Sequence, residues 1–173
     1  MTCPDSFTTS RLIAQRLQLG DAAEIHRMHQ DAEQMTLLGG VRDEVETAAY
    51  MERNLTHWAQ YGFGLWLLHD ITSNDVVGRA LLRTLTLDGA DEIEVGYSLY
   101  PAYWGRGLAA EAASACLAHA SQSLGATSVV ALTRPDNVGS QRVLHKIRMH
   151  FERTLDHGGV PHVLFRTNRQ TAR

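Results

Sequence analysis

Tyr103-Trp104-Gly105-Arg106-Gly107-Leu108-Ala109-Ala110-Glu111-Ala112 is the stretch on which the fold turns. Gly105 and Gly107 stand between a strand-like run at residues 93–99 and an Ala-rich helical stretch from about residue 107 to residue 124. A junction of this kind exposes the N–H groups of the helix's first turn, which have no partner inside the helix. Glycine lets a ligand come close to the chain, so a pyrophosphate could accept several hydrogen bonds there. The helix dipole adds about 0.3–1 kcal/mol per contact. The same residues also suit a plain loop that needs positive φ, followed by a helix that packs tightly on a sheet.

Working outward, residues 11–19 have strand-like spacing and end at Gly20-Asp21, where Asp21 and Glu24 are spaced as a capping box. The following helix carries Ile25, Met28 and Ala32 on one face. A second box, Asp43 with Glu46, opens another helix with Val45, Ala48, Ala49, Leu55, Trp58 and Ala59 turned inward, and Gly39-Gly40 separates the two. Residues 63–68 and 76–87 form a hairpin around the turn residues Thr72-Ser73-Asn74-Asp75. After the helix at 107–124 come a strand at 126–132, a helix at 137–146 and two strands at 149–155 and 160–166 around Asp156-His157-Gly158-Gly159. Antiparallel runs interrupted by helices predict one mixed α/β (α+β) domain over residues 1–173, not a purely parallel sheet.

Composition narrows the function. Of the 173 residues 44% are hydrophobic and 20% charged, a globular balance. The net charge of −3 has no basic run to track a phosphate backbone, which argues against nucleic acid as a partner. Residues 1–10 lack a basic start and an apolar core, and no run approaches the ~20 apolar residues that span a bilayer, so no membrane association is expected. Cys3 and Cys116 do not form a disulfide framework, which fits a cytoplasmic setting.

Gly105-Arg106-Gly107-Leu108-Ala109-Ala110 also satisfies G-x-G-x-x-A, the dinucleotide fingerprint. No acidic residue follows Glu111 until Asp136, so the carboxylate expected about 20 residues on to bind a ribose is missing. The glycines also begin several residues beyond the strand.

The segment resembles the acyl-CoA loop of the GNAT superfamily of N-acetyltransferases, Gln/Arg-x-x-Gly-x-Gly/Ala. Trp104 stands at the Gln/Arg place, with Gly107 and Ala109 following. Trp-Gly-Arg-Gly-Leu-Ala with Glu111 is similar to the RimJ/RimL-like branch, which acetylates N-termini of ribosomal proteins. Arg11-Leu12, Arg16-Leu17, Asp21-Ala22, Glu94-Val95-Gly96-Tyr97 and Asp136-Asn137-Val138-Gly139-Ser140 extend the likeness in the family's order.

The resemblance implies a GNAT-type, mostly antiparallel mixed sheet with helices on both faces, whose fourth and fifth strands splay apart around the pantetheine arm of acetyl-CoA. It implies that Tyr97, Ser98 and Leu99 pair with that arm through backbone groups and polarise the thioester carbonyl. Trp104, Gly105, Arg106, Gly107, Leu108, Ala109 and Ala110 would form the pyrophosphate loop, with Asn137 and Ser140 near the thioester. Acetyl transfer needs an acceptor for the amine's proton and a donor for the departing thiolate. Glu94 is the candidate base, directly or through water, although a strand carboxylate paired with an arginine looks the same in sequence; Glu92 is the reserve. Many superfamily members place a tyrosine on the last helix as the acid; residues 138–148 contain none, which leaves Ser140 or a water it holds. Arg148 stands where relatives usually have glycine.

The expected reaction is direct attack of a primary amine on acetyl-CoA, with a protein or peptide N-terminus as acceptor. Polyamine, aminoglycoside or amino-acid acetylation, or a non-catalytic acyl-CoA sensor, are the alternatives. A homodimer is left open. No metal is expected: His26 and His29, at i and i+3, lack a third ligand. Cys116, among Ala113, Ala115, Leu117 and Ala120, reads as a buried core residue.

Overall fold

The computed structural model describes residues 1–167. Its strands are β1 (Ser6–Thr8), β2 (Leu12–Arg16), β3 (Leu65–Asp70), β4 (Val76–Leu87), β5 (Ala90–Leu99), β6 (Val130–Thr133), β7 (His150–His157) and β8 (Val160–Arg166). Its helices are α1 (Ala22–Gln30), α2 (Ala32–Met35), α3 (Glu44–Tyr61), α4 (Leu108–Leu124) and α5 (Val138–Lys146). The strands form one eight-stranded sheet in the order β1-β2-β3-β4-β5-β6-β8-β7. Every pairing is antiparallel except β5 with β6.

That exception positions the site. β4 and β5 pair without a slip from Gly78↔Leu99 to Leu87↔Ala90, whereas β5 and β6 meet at Glu94↔Val130 alone. Beyond Glu94 the two strands part. These are the splayed fourth and fifth strands of the expectation, renumbered because the short β1 was not read from the sequence.

Side chains alternate across the sheet. One face takes Leu12, Ala14, Trp66, Leu68, Ala80, Leu82, Val95 and Leu99, which pack with Leu108, Ala112, Ala113, Cys116 and Ala120 of α4 and Leu144 of α5. The small residues of α4 let it lie close to the strands. The opposite face takes Leu65 and Leu67 against Ile25 and Met28 of α1 and Met51 of α3. Helices thus cover both faces.

Several local expectations change. Asp21 does not cap α1; its Oδ2 accepts from the Gln18 amide at 2.7 Å, closing a single 3-10 turn. Glu24 turns to Arg27 and to the Tyr100 hydroxyl. Ala32 does not continue the α1 face, because the chain is extended at Asp31, which caps α2 by accepting from the Gln34 amide at 2.8 Å. The box at α3 forms as expected: Asp43 accepts from the Glu46 amide at 2.8 Å and Glu46 from the Asp43 amide at 2.9 Å. The buried stripe of α3 is Thr47, Met51 and Trp58, while Val45 is 77% exposed and Ala48 and Ala59 face outward. A buried polar residue displaced the apolar pattern there: Thr47 Oγ1 lies 2.8 Å from His29 Nδ1. Strand β6 begins at Val130, four residues later than expected, and β7 runs on through His157.

Candidate functional site

The loop before α4 has the backbone that glycine permits. Gly105 has φ of +73° and Gly107 of +78°, both left-handed, and Gly107 is the N-cap of α4 without a side-chain cap. Gly107 is flanked by two cations: an ideal Cβ there would touch Lys146 Nζ at 3.5 Å and Arg11 Nη2 at 3.6 Å. The first-turn amides of α4 therefore open beside a lysine from α5 and an arginine that immediately precedes β2. Arg11 is fixed by Glu111, which accepts from its Nε at 2.7 Å and from its amide at 2.8 Å, and Arg11 Nη1 donates to the Arg106 carbonyl at 2.9 Å. The Arg106 guanidinium stacks on Tyr103 at 5.3 Å. Amides, dipole and cations together fit a pyrophosphate.

Sequence reading missed Lys146 and the role of Arg11. Arg11 and Gly107 are far apart in sequence; only the sheet, which sets β2 and the loop before α4 at one end, brings them together. The pairing of Arg11 with Glu111 was visible only as two separate fragments of a familiar pattern.

The gap between β5 and β6 supplies a second set of donors. The Tyr100 amide donates to the Val77 carbonyl at 3.0 Å, so by antiparallel alternation the backbone groups of Ser98 and Gly96 also turn toward β4. Those of Tyr97 and Leu99 turn the other way, into the gap. Ser98 is therefore misplaced as a backbone ligand: its amide and carbonyl belong to the ladder, and its Oγ accepts from Gln34 Nε2 at 2.9 Å on the α1–α3 face. Trp104, 47% exposed, donates its Nε1–H to the Leu99 carbonyl at 2.8 Å, which anchors the loop to the end of β5.

Across the gap, Asn137 caps α5 by accepting from the Ser140 amide at 2.9 Å. The Tyr97 hydroxyl lies 3.1 Å from Ser140 Oγ and donates to the Ser140 carbonyl at 3.1 Å. Burial pushes the Tyr97 phenol up to about 12, against the opposing effect of the Ser140 bond. The helix has no tyrosine, yet the strand delivers one to the same serine. Tyr97 was read from sequence for its backbone alone; its alternation with Val95 and Leu99 toward the α4–α5 face was the available signal.

Glu94 is on the other face of β5, 4% exposed, and its Oε2 accepts from Nε of Arg83, its partner across the ladder. Oε1 has no partner among the described residues. Burial works against the Arg83 charge, but Glu94 outweighs it and raises the guanidinium's pKa. Glu92 is tied to Arg166 at 2.9 Å, and Arg166 also pairs with Glu152. Asn137, Ser140 and Tyr97 thus converge on one face of β5, while Glu94 lies on the other face, at the residue where β5 still pairs with β6.

The other candidates are structural. Cys116 is fully buried, and its thiol is pushed up to about 12 by burial. His26 and His29 both contact Thr47 Oγ1, and no group of three or more potential metal ligands occurs among the described residues. Arg148 has a left-handed φ of +62°, which accounts for the glycine usual at that place and ends α5 at Lys146. No helix among the described residues is long and apolar enough to cross a membrane.

A glycine-lined helix N-terminus beside two cations, next to strands that part, has the chemistry to hold an acyl-CoA. Residues 11–150 match the sequence profile of the Acetyltransferase (GNAT) domain, and the chain belongs to that family of N-acetyltransferases, which use acetyl-CoA. Protein YkkB of Bacillus subtilis is 28% identical over 156 residues, covering 90% of this chain and 91% of YkkB. Among solved structures, an acetyltransferase from Agrobacterium tumefaciens superposes with a TM-score of 0.84 at 23% identity, covering 98% of this chain and 96% of that one. RimL, a ribosomal L7/L12 α-N-protein acetyltransferase in complex with coenzyme A, superposes with a TM-score of 0.77 at 15% identity, covering 98% of each chain.

Proposed function

We propose that this acetyltransferase acts on the α-amine at the N-terminus of a protein or peptide, as a member of the RimJ/RimL-like branch. The loop from Trp104 to Glu111 carries this reading: Glu111 holds Arg11 beside Gly107, so the residues that mark the branch in sequence act as one unit in the fold. The likeness to RimL supports it.

Acetyl-CoA supplies the activated acetyl thioester, and the chain orients it and handles the protons. The amides of Tyr97 and Leu99 face the gap, where they can polarise the thioester carbonyl. Glu94 Oε1 takes the proton of the attacking amine, directly or through water. Ser140, or a water it holds, is positioned by Asn137 and Tyr97 and gives a proton to the departing thiolate, which leaves as the thiol; solvent restores the donor's proton and takes the one held by Glu94. Buried Cys116 takes no part, and the amine attacks directly. An α-amine has an ordinary pKa of about 7.7–8.0 against about 10.4 for lysine, so freeing the lysine amine at neutral pH costs about 3.5 kcal/mol more. A single carboxylate suits the α-amine.

The test is a panel of unblocked peptides, lysine-containing peptides and small amines with acetyl-CoA, read by thiol release and by mass spectrometric location of the acetyl group. Acetylation at α-amines is expected. Acetyl found only on lysine Nε, or only on small amines, would overturn the acceptor assignment.

A further inference from the structure

On the α1–α3 face, three arginines gather around one aromatic ring. The guanidinium carbons of Arg79, Arg42 and Arg53 lie 4.9, 5.3 and 6.0 Å from the Tyr50 ring centre. Among the described residues, none of the three forms an ion pair; the other arginines without one, Arg106, Arg142 and Arg148, are exposed. Arg79 is 5% exposed, and its Nη1 is buried without an acceptor. Buried guanidinium groups are rare without a partner, because removing a charge from water is costly. The neighbours do not provide one. His29, fully buried, meets Arg42 through Nε2 at 3.2 Å and is pushed down to about 3 by burial and by the charges of Arg79 and Arg42. The Glu46 carboxylate acts on Arg42 only weakly and is engaged by the Asp43 amide.

We infer that the acceptor amine carries a carboxylate, and that Arg79, with Arg42 and Arg53 at its approach, binds it. The inference rests on the acetyltransferase reading of the gap. Arg79 pairs in register with Ser98, one residue from the Tyr97 and Leu99 amides, so it stands one strand from the gap and on the same face of the sheet as Glu94. Exposed Arg53, half-buried Arg42 and buried Arg79 grade from surface to interior. Gln34 Oε1 is likewise buried without a donor. Water could complete these hydrogen bonds, but it would not balance three positive charges. The same field repels polyamines and aminoglycosides. The carboxylate comes either from an amino acid's own α-carboxyl group or from an acidic side chain near a peptide's N-terminus.

The test uses unreactive product mimics, titrated calorimetrically into the CoA-loaded protein: N-acetylalanine, acetyl-Ala-Asp-amide and acetyl-Ala-Asn-amide. At least one carboxylate-bearing mimic should bind about 10–100-fold more tightly than the neutral one, the range of a charge-assisted contact. Whichever binds more tightly identifies the source. Arg79→Gln should erase the preference. Arg53→Gln, at an exposed position, should reduce it a few-fold, which keeps the inference testable if the buried variant fails to fold. Equal binding of all three mimics by the parent, or a preference that survives Arg79→Gln, would overturn it. If the preference holds but no amine releases thiol from acetyl-CoA, the acetyl-transfer reading fails and the carboxylate site stands.

Discussion

Replacing Gly107 separates two roles that the same residue plays. At φ of +78° any side chain is strained, and left-handed backbone costs an ordinary residue about 1–2 kcal/mol. Gly107→Ala should therefore lower stability by roughly that amount, a Tm drop of about 2–8 °C for a chain of this size. Its methyl group would stand at ordinary contact distance from Lys146 Nζ and Arg11 Nη2, so the cations stay in place and acetyl-CoA binding should weaken only a few-fold. Gly107→Asp adds a carboxylate between those two cations. It would pair with them and repel the pyrophosphate at the same point. Losing two charge-assisted hydrogen bonds of about 1.5–3 kcal/mol each predicts a rise in Kd of roughly 10²–10⁴. Isothermal titration of acetyl-CoA into both variants, with thermal unfolding as the control for folding, checks this. A folded Gly107→Asp protein with parental affinity would remove the pyrophosphate from this loop.

Glu94→Gln keeps an acceptor for Arg83 and should fold; kcat/KM at neutral pH should fall about 10²–10⁴-fold, recovering in part as the pH rises toward the amine's own pKa. A parental profile across roughly pH 6–9, the span in which an α-amine titrates, would take Glu94 out of the mechanism. Ser140→Ala and Tyr97→Phe should each lower kcat without recovery at high pH, and the double variant should be little worse than either, because paired hydroxyls act as one unit; additive losses would separate them. His29 has its pKa depressed in the fold to about 3 from the ordinary 6.5, so the unfolded chain binds the extra proton between those values and stability falls as pH drops below about 6.5, by up to about 1.4 kcal/mol per pH unit. Urea melts at pH 7 and 5 should show this slope, and His29→Asn should flatten it. Arg148→Gly relieves a left-handed backbone but loosens the unfolded chain, for a net gain of about 0.5–1 kcal/mol and a Tm rise of a few degrees by calorimetry; an unchanged or lower Tm would refute it.

What could be read from sequence follows the range of the interactions. Local signals came through: the Asp43–Glu46 box, the Asn137 cap, Val76–Leu87 and Val160–Arg166 as strands, and the two glycines before α4. The box expected at Asp21 failed because Asp21 found a nearer partner in the Gln18 amide, a competition that spacing alone does not reveal. On α3, Trp58 and Leu55 turn inward as read, but Val45, Ala48 and Ala59 do not, for a long-range reason, the burial of Thr47 by His29. At the candidate site, Glu94 and Ser140 are nominated through the family resemblance. Their partners Arg83 and Tyr97, and Lys146 at Gly107, depend on strand register and helix docking. The Arg79 cluster was invisible for the same reason, since its arginines come from a loop, a helix and a strand that meet only in the fold.

The parting of β5 from β6 joins these parts into one proposed mechanism. In a continuous sheet, strand alternation would keep Glu94 on the α1–α3 face and Tyr97 with Ser140 on the α4–α5 face, separated by a hydrogen-bonded backbone. Because the pairing stops at Glu94↔Val130, the edge of β5 beyond it is open, and the Tyr97 and Leu99 amides point into the opening rather than to a neighbouring strand. In the proposed mechanism, a thioester lying there would meet the amide donors of β5, with Glu94 on one face of the strand and the hydroxyl pair of Tyr97 and Ser140 on the other. The amine can then arrive past Glu94 while the thiolate departs toward Ser140, so one proton is taken and another given without either group crossing the sheet. The two catalytic roles need no shared face, only the same gap.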